Sequence, residues 1–212
     1  MSYSSMRVHF GCGLRAPQSW VNCDSSPRVW IDKIPGLSFF GYKKRFKPWV
    51  RRINVTRRLP FRDSSVTHVY SSHMIEHLDS NDAKFFLKEC YRIMTPNGRI
   101  RLMTPNLFLL VNDYLGRRNS PELRNHAADF FMKWLGMTPA KSNSLFDFIS
   151  NPWTSKNLHR WIYDEYSLSS LLSDIGFSNV ESHINWRTDF PDLESLECPA
   201  MRESSTCAEG FR

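Results

Sequence analysis

Short apolar runs and amphipathic stretches alternate along the chain from Arg7 to about Ile184. Residues 8–10 read as a first strand, followed by the Gly11-Cys12-Gly13 turn, and residues 20–23 as a second that ends on Asp24. Residues 51–55 predict a third strand, followed by a Leu59-Pro60-Phe61 turn. Residues 67–71 predict a fourth, apolar enough to be central. Between residues 81 and 94 the apolar period becomes helical, on Phe85, Phe86, Leu87, Cys90, Tyr91 and Met94, with Asp79 or Ser80 available as the N-cap. Pro96-Asn97-Gly98 is expected to stop that helix with a turn, and residues 99–103 to run as a fifth strand. Such alternation is the signature of an α/β fold with a mostly parallel sheet.

After residue 106 the texture changes. Residues 107–115 and 123–134 look helical and 143–152 mix aromatic and polar side chains, so 107–157 reads as an inserted lid before the strand pattern resumes. Residues 166–175, built on Leu168, Leu171, Leu172 and Ile175 and closed by Gly176, predict a helix, and 178–184 a strand. The last twenty residues carry few signals of order. No internal repeat appears, and 212 residues with 41% hydrophobic content suit one domain, 1–212, with a proper core.

Charge adds one local feature. The net charge is +7, yet residues 43–58 alone hold Lys43, Lys44, Arg45, Lys47, Arg51, Arg52, Arg57 and Arg58 with no acid among them. Phe39, Phe40, Tyr42, Phe46 and Trp49 are interleaved with these cations. The stretch is either a solvated face with its aromatics packed inward or a docking surface for an anionic partner: a phosphorylated substrate, a charged polysaccharide, a lipid headgroup layer or RNA. The five cysteines are scattered without a Cys-x-x-Cys pair, which suits reduced thiols, offers no zinc site, and leaves no metal ligands assigned. No apolar segment approaches the roughly 20 residues of a membrane span, and the start lacks the design of a secretory signal, so a cytoplasmic location is expected.

The candidate chemistry begins at the first glycine turn. A strand, a turn of small residues and a second strand ending in an acid can hold a nucleoside, because glycine lets a ligand approach the backbone and the carboxylate takes the ribose hydroxyls. An ordinary tight turn accounts for two glycines equally well, since Leu14-Arg15 stands where the dinucleotide fingerprint continues to a third glycine.

Three further segments arrive in order: Leu59-Pro60-Phe61-Arg62-Asp63; Ser72-His73-Met74-Ile75-Glu76-His77-Leu78; and Glu89-Cys90-Tyr91-Arg92-Ile93-Met94-Thr95-Pro96-Asn97-Gly98. With His159-Arg160-Trp161-Ile162-Tyr163-Asp164 and Ile175-Gly176-Phe177, the set resembles the class I S-adenosylmethionine-dependent methyltransferases, in particular the type 11 domain group, over roughly residues 7–184. The resemblance implies a Rossmann-like, mostly parallel seven-stranded sheet with helices on both faces and an inserted helical lid. It implies S-adenosyl-L-methionine as cofactor, with His9, Gly11, Cys12, Gly13 and Asp24 around its tail and ribose. Asn54 and Val55 would then lie at the adenine, and Ser72 and His73 near the methyl. His9, Asn54, Arg15 and Asn97 stand where the group more often has two acids and two glycines.

Methyl transfer needs an in-line nucleophile and, for a hydroxyl, a base, so His73 is the first candidate catalytic residue and His159 the second. Each is equally readable as a hydrogen-bonded structural histidine. Glu76 and His77 are expected to brace the strand–helix junction, and Trp161 and Tyr163 to wall a pocket or join the core. The leading reading is a methyltransferase for a small-molecule or glycan acceptor. An RNA methyltransferase and a non-catalytic cofactor-binding partner subunit are the alternatives.

Overall fold

A computed structural model describes residues 6–36, 46–137, 158–182 and 188–212. Lys43, Lys44, Arg45 and the neighbouring aromatics Phe39, Phe40 and Tyr42 lie outside the described residues, as do 138–157 of the expected lid and the end of the strand expected at 178–184. The strands are β1 (Arg7–Phe10), β2 (Val21–Asp24), β3 (Arg51–Arg52), β4 (Val66–Ser72), β5 (Met94–Pro105), β6 (Ser178–Ser182) and β7 (Ser205–Phe211). They form one sheet in the order β3-β2-β1-β4-β5-β7-β6. β1 to β5 pair in parallel, whereas β7 runs antiparallel between β5 and β6. The seven-stranded α/β architecture is the one expected.

One face of the sheet is apolar. Val8, Phe10, Val66, Val69, Ile100 and Leu102 meet α2 (Ser80–Ile93) and α5 (Glu165–Ile175) in the main core, where Phe86, Leu87, Leu168 and Leu172 are fully buried. Both helices are closed locally. Asp79 caps α2 by accepting from Asn81 N and Asp82 N. Asp164 and Ser167 form a capping box on α5, and Gly176 ends that helix at φ +113°, a conformation L side chains resist. Each such cap is worth about 1 kcal/mol.

The opposite face is different. Trp20 and Tyr70 pack with Phe190 and Leu196 from a C-terminal segment that contributes only two single-turn helices, α6 (Leu193–Leu196) and α7 (Pro199–Arg202). Beneath them lies a buried ion network. Arg101, fully buried, donates through Nε to Glu197 at 2.6 Å and through Nη1 to Glu209; Arg202 reaches Glu197 from the rim and Arg99 reaches Glu209.

Three expectations change. The third strand is Arg51–Arg52 alone, because the chain leaves β2 after two pairs and turns at Asn54. Pro96-Asn97-Gly98 does not stop a helix: α2 ends at Ile93 and the chain enters β5 at once. The dipeptide-rich turn is a bulge within β5, with Asn97 at φ +61° while the pairing with β4 skips from Met94 to Arg99. The last twenty residues, read as poor in order, supply β7, buried from Ser205 to Gly210.

Beyond β5, α3 (Leu107–Asn119) and α4 (Ala127–Trp134) pack on each other. Of their residues only Leu110 and Ala127 are buried, and Phe108, Leu109, Val111, Leu115 and Met132 stay exposed. α1 (Arg28–Ile31) lies beside β3.

Candidate active site at the carboxyl edge of the sheet

Parallel strands deliver their following loops to one edge, and four loops meet there, after β1, β2, β4 and β5. After β1 the chain turns through Gly11 (φ +68°) and Gly13 (φ +51°). A Cβ on Gly11 would lie 2.7 Å from Met74 Cβ, so the first glycine is required by the packing of the β4 loop on the turn. Nothing lies within 4 Å of the place a Cβ on Gly13 would take, and that side of the turn is open to a ligand. Cys12 between them points away into a small cluster with Val29, Phe46 and Val50, while its N–H donates to Cys23 O at 3.0 Å. Burial pushes its thiol well above the ordinary range.

Asp24 closes the same corner. Its Oδ2 accepts from Gly13 N at 3.0 Å and its Oδ1 from Ser26 N at 2.8 Å. Burial raises its pKa against these two hydrogen bonds, which favour the anion. Each oxygen keeps a second lone pair, so the carboxylate can fix the turn and still accept from a diol. The open side of Gly13 beside this anion fits a nucleoside with an adjacent tail.

The remaining predicted cofactor residues are placed less uniformly. His9 lies on the polar face, its ring against Tyr70 with centroids 4.9 Å apart, and burial lowers its pKa to about 3. Asn54 is exposed, and its Oδ1 already accepts from Thr56 N and Thr56 Oγ1, both at 3.0 Å. An adenine amino group would have to displace Thr56 to use that oxygen. Val55 is buried in the main core. Arg15 donates to Glu197 O at 3.0 Å.

At the end of β4, Ser72 is half-buried and His73 adopts φ +49°. Backbone strain of this kind costs on the order of 1–3 kcal/mol and persists where surrounding bonds fix it. Here His73 N donates to Met103 O at 2.8 Å, His73 Nε2 lies 3.0 Å from Ser205 Oγ, and Nδ1 lies 3.5 Å from Glu76 Oε1. Since Ser205 donates its only proton to Met201 O, it accepts from Nε2–H, and the accepting nitrogen of a neutral His73 is Nδ1.

Glu76 follows in the single turn Ile75–His77 and is wholly buried. It does brace the junction: its carbonyl accepts from Arg160 N and Trp161 N, and its Oε2 from Thr104 Oγ1. His159 comes to the same place, its ring 5.1 Å from that of His77. Burial lowers the pKa of His159. Tyr163 belongs to the core, its phenol pushed up to about 12 by burial, while Trp161 is half exposed. The Leu59-Pro60-Phe61 turn is held from α2: Glu89 accepts from Leu59 N, and Arg92 donates to Leu59 O and Phe61 O.

The sheet edge thus brings Gly13, Asp24, Ser72, His73 and His159 to neighbouring loops and leaves His9 on the opposite face. Ser205 and Thr104 were missed, since a lone hydroxyl has no sequence signature until its strand neighbours are known.

Residues 9–102 match the family model of a methyltransferase domain. Over that stretch the chain is similar to a methyltransferase domain. No curated protein matches the chain by sequence. Among solved structures it is similar to an S-adenosylmethionine-dependent methyltransferase from Mesorhizobium loti, 13% identical, covering 100% of this chain and 94% of that one with a TM-score of 0.53. It is also similar to one from Archaeoglobus fulgidus, 15% identical, covering 99% and 87% with a TM-score of 0.50. At these identities the likeness is one of fold, a seven-stranded, mostly parallel α/β sheet. Among the described residues no helix is long and apolar enough to cross a membrane.

Proposed function

We propose that the enzyme methylates a hydroxyl of a small-molecule or glycan acceptor, with His73 receiving the hydroxyl proton. The observation that carries this reading is the fixed imidazole at the end of β4, tied at Nε2 to Ser205 and facing Glu76 through Nδ1. The cofactor supplies an activated methyl group on a sulfonium, so the protein's work is to bind, align and remove a proton. Gly13 and Asp24 would hold the nucleoside and tail. His73 Nδ1 accepts the proton, and the buried Glu76 carboxylate stabilises the imidazolium that results. His159 is the second candidate base, brought beside His77 at the same edge.

The helical pair α3–α4, with its exposed Phe108, Val111, Leu115 and Met132, would close over the acceptor as a lid that excludes water. Arg51, Arg52, Arg57 and Arg58 are all exposed, which supports docking of an anionic acceptor along this edge. Arg52 also stacks over Trp30 at 4.1 Å, so part of its surface is already engaged.

The test is methyl transfer from radiolabelled cofactor to fractionated glycan and small-molecule pools, repeated with His73→Asn. The expected loss in kcat is on the order of 100-fold or more with cofactor affinity by calorimetry little changed. An unaltered kcat would remove His73 from the chemistry, and label in RNA alone would replace the acceptor class.

A further inference from the structure

The turn after β4 and the segment that returns at residue 158 place three ligand-type side chains together without a sequence motif to announce them. One potential ligand atom from each of Glu76, His77 and His159 lies within 4.8 Å of the others. Two observations separate this cluster from an ordinary polar patch. Glu76 is completely buried, and its Oε1 has no hydrogen-bond partner; His73 Nδ1 lies 3.5 Å from it. His159 Nδ1 is likewise buried without a partner. Leaving two such atoms unsatisfied is unfavourable, and a cation bound to both would offset that.

The third side chain is already oriented for the purpose. His77 Nδ1 lies 3.3 Å from the carbonyl of Leu158, an acceptor that fixes Nδ1 as the protonated nitrogen and leaves Nε2 with its lone pair. A ring held through one nitrogen by a backbone carbonyl is the usual state of a metal-binding histidine. Glu76 is held in the same sense, its Oε2 accepting from Thr104 and its Oε1 without a hydrogen-bond partner. The main chain locks the two halves of the cluster: Arg160 N and Trp161 N both donate to Glu76 O, so the segment carrying His159 is tied to the turn carrying Glu76 and His77.

We propose that Glu76, His77 and His159 bind a divalent transition metal, with zinc the best match to two imidazoles and one carboxylate. Three protein ligands leave at least one coordination position for water or for an oxygen of an acceptor. The cysteines take no part: none of the five belongs to the cluster. An ion here would take His159 out of the role of second base and share Glu76 with His73; the readout uses neither cofactor nor methyl transfer.

The experiment is titration of the chelator-treated full chain with Co²⁺, followed by visible absorption, and with Zn²⁺, followed by calorimetry. The expected result is one ion per chain, with tetrahedral-type cobalt bands displaced by zinc. His77→Ala and His159→Ala should each weaken binding by about 100-fold or more, with folding in chelator checked by circular dichroism. His126→Ala, an exposed histidine beside Asp129 outside the cluster, should leave binding unchanged. Glu76→Gln tests the carboxylate, and should it fail to fold, the two histidine variants decide the matter. Absence of a one-to-one complex, or a complex indifferent to both His77 and His159, overturns the site and leaves the cluster as a hydrogen-bonded brace.

Discussion

The two faces of the central sheet are built from different chemistry. On one, aliphatic and aromatic side chains from β1, β4 and β5 meet α2 and α5, and burial is apolar throughout. On the other, His9, Asn22, Ser71, Arg101, Glu197 and Glu209 are all buried, under a cover with little regular structure. The first face is held by non-directional burial, which tolerates small changes of shape. The second is held by pairing, where loss of one partner strands the other's charge. The same set of strands therefore carries two modes of stability, one graded and one close to all-or-none.

The sharpest way to break this contrast is Arg101→Met. It should destabilise by about 3–5 kcal/mol in urea unfolding, because Glu197 and Glu209 remain buried without their shared guanidinium. Adding Glu197→Gln and Glu209→Gln should recover part of the loss. If Arg101→Met costs no more than a surface substitution, the network is solvated and the contrast between faces is false.

The next effect is on pH. His9 titrates at about 3 in the folded chain, and an unfolded imidazole near 6.5. Between those values only the unfolded state binds the proton, so stability falls as pH drops below 6.5 and levels off below 3. Comparing pH 7.5 with pH 5, His9→Phe should remove roughly 2 kcal/mol of this decline, measured as the difference in unfolding free energy from the parent. Equal acid sensitivity in both proteins would place His9 in contact with solvent.

The smallest effect belongs to the apolar face. Ile100→Val should cost about 0.5–1.5 kcal/mol and leave the acid profile unchanged. A larger loss would mean that this face is as intolerant as the other.

The contrast also explains what could be read in the sequence. Helices α2 and α5 announced themselves because an apolar stripe repeats at helical spacing, with Asp79 at the start of the first and Gly176 at the end of the second. The glycine turn and Asp24 were visible for a similar reason: both are local, and the hydrogen bond from Gly13 joins residues only eleven apart. Arg101, Glu197 and Glu209 gave no such signal, since their partners are 96 and 108 residues away and a charged residue in a strand reads as solvent-facing. Ser205–Phe211 was missed on the same ground, because Glu209 and Gly210 interrupt its apolar alternation until Arg101 supplies a partner. In the candidate site, His73 was nominated from its motif, whereas its link to Ser205 spans 132 residues and had no local signal.

The place of β7 in the sheet has a consequence for how the protein is made. β5 and β6 never pair with each other; each pairs with the strand between them, whose residues are 205–211. A ribosome that has released everything up to residue 204 has produced β1 to β5 with a bare edge on β5 and with β6 and α5 lacking their strand neighbour. That edge is a template for pairing with another chain. Folding of this domain therefore waits for its seventh strand, and the interval before β7 arrives is when a chaperone has most to protect.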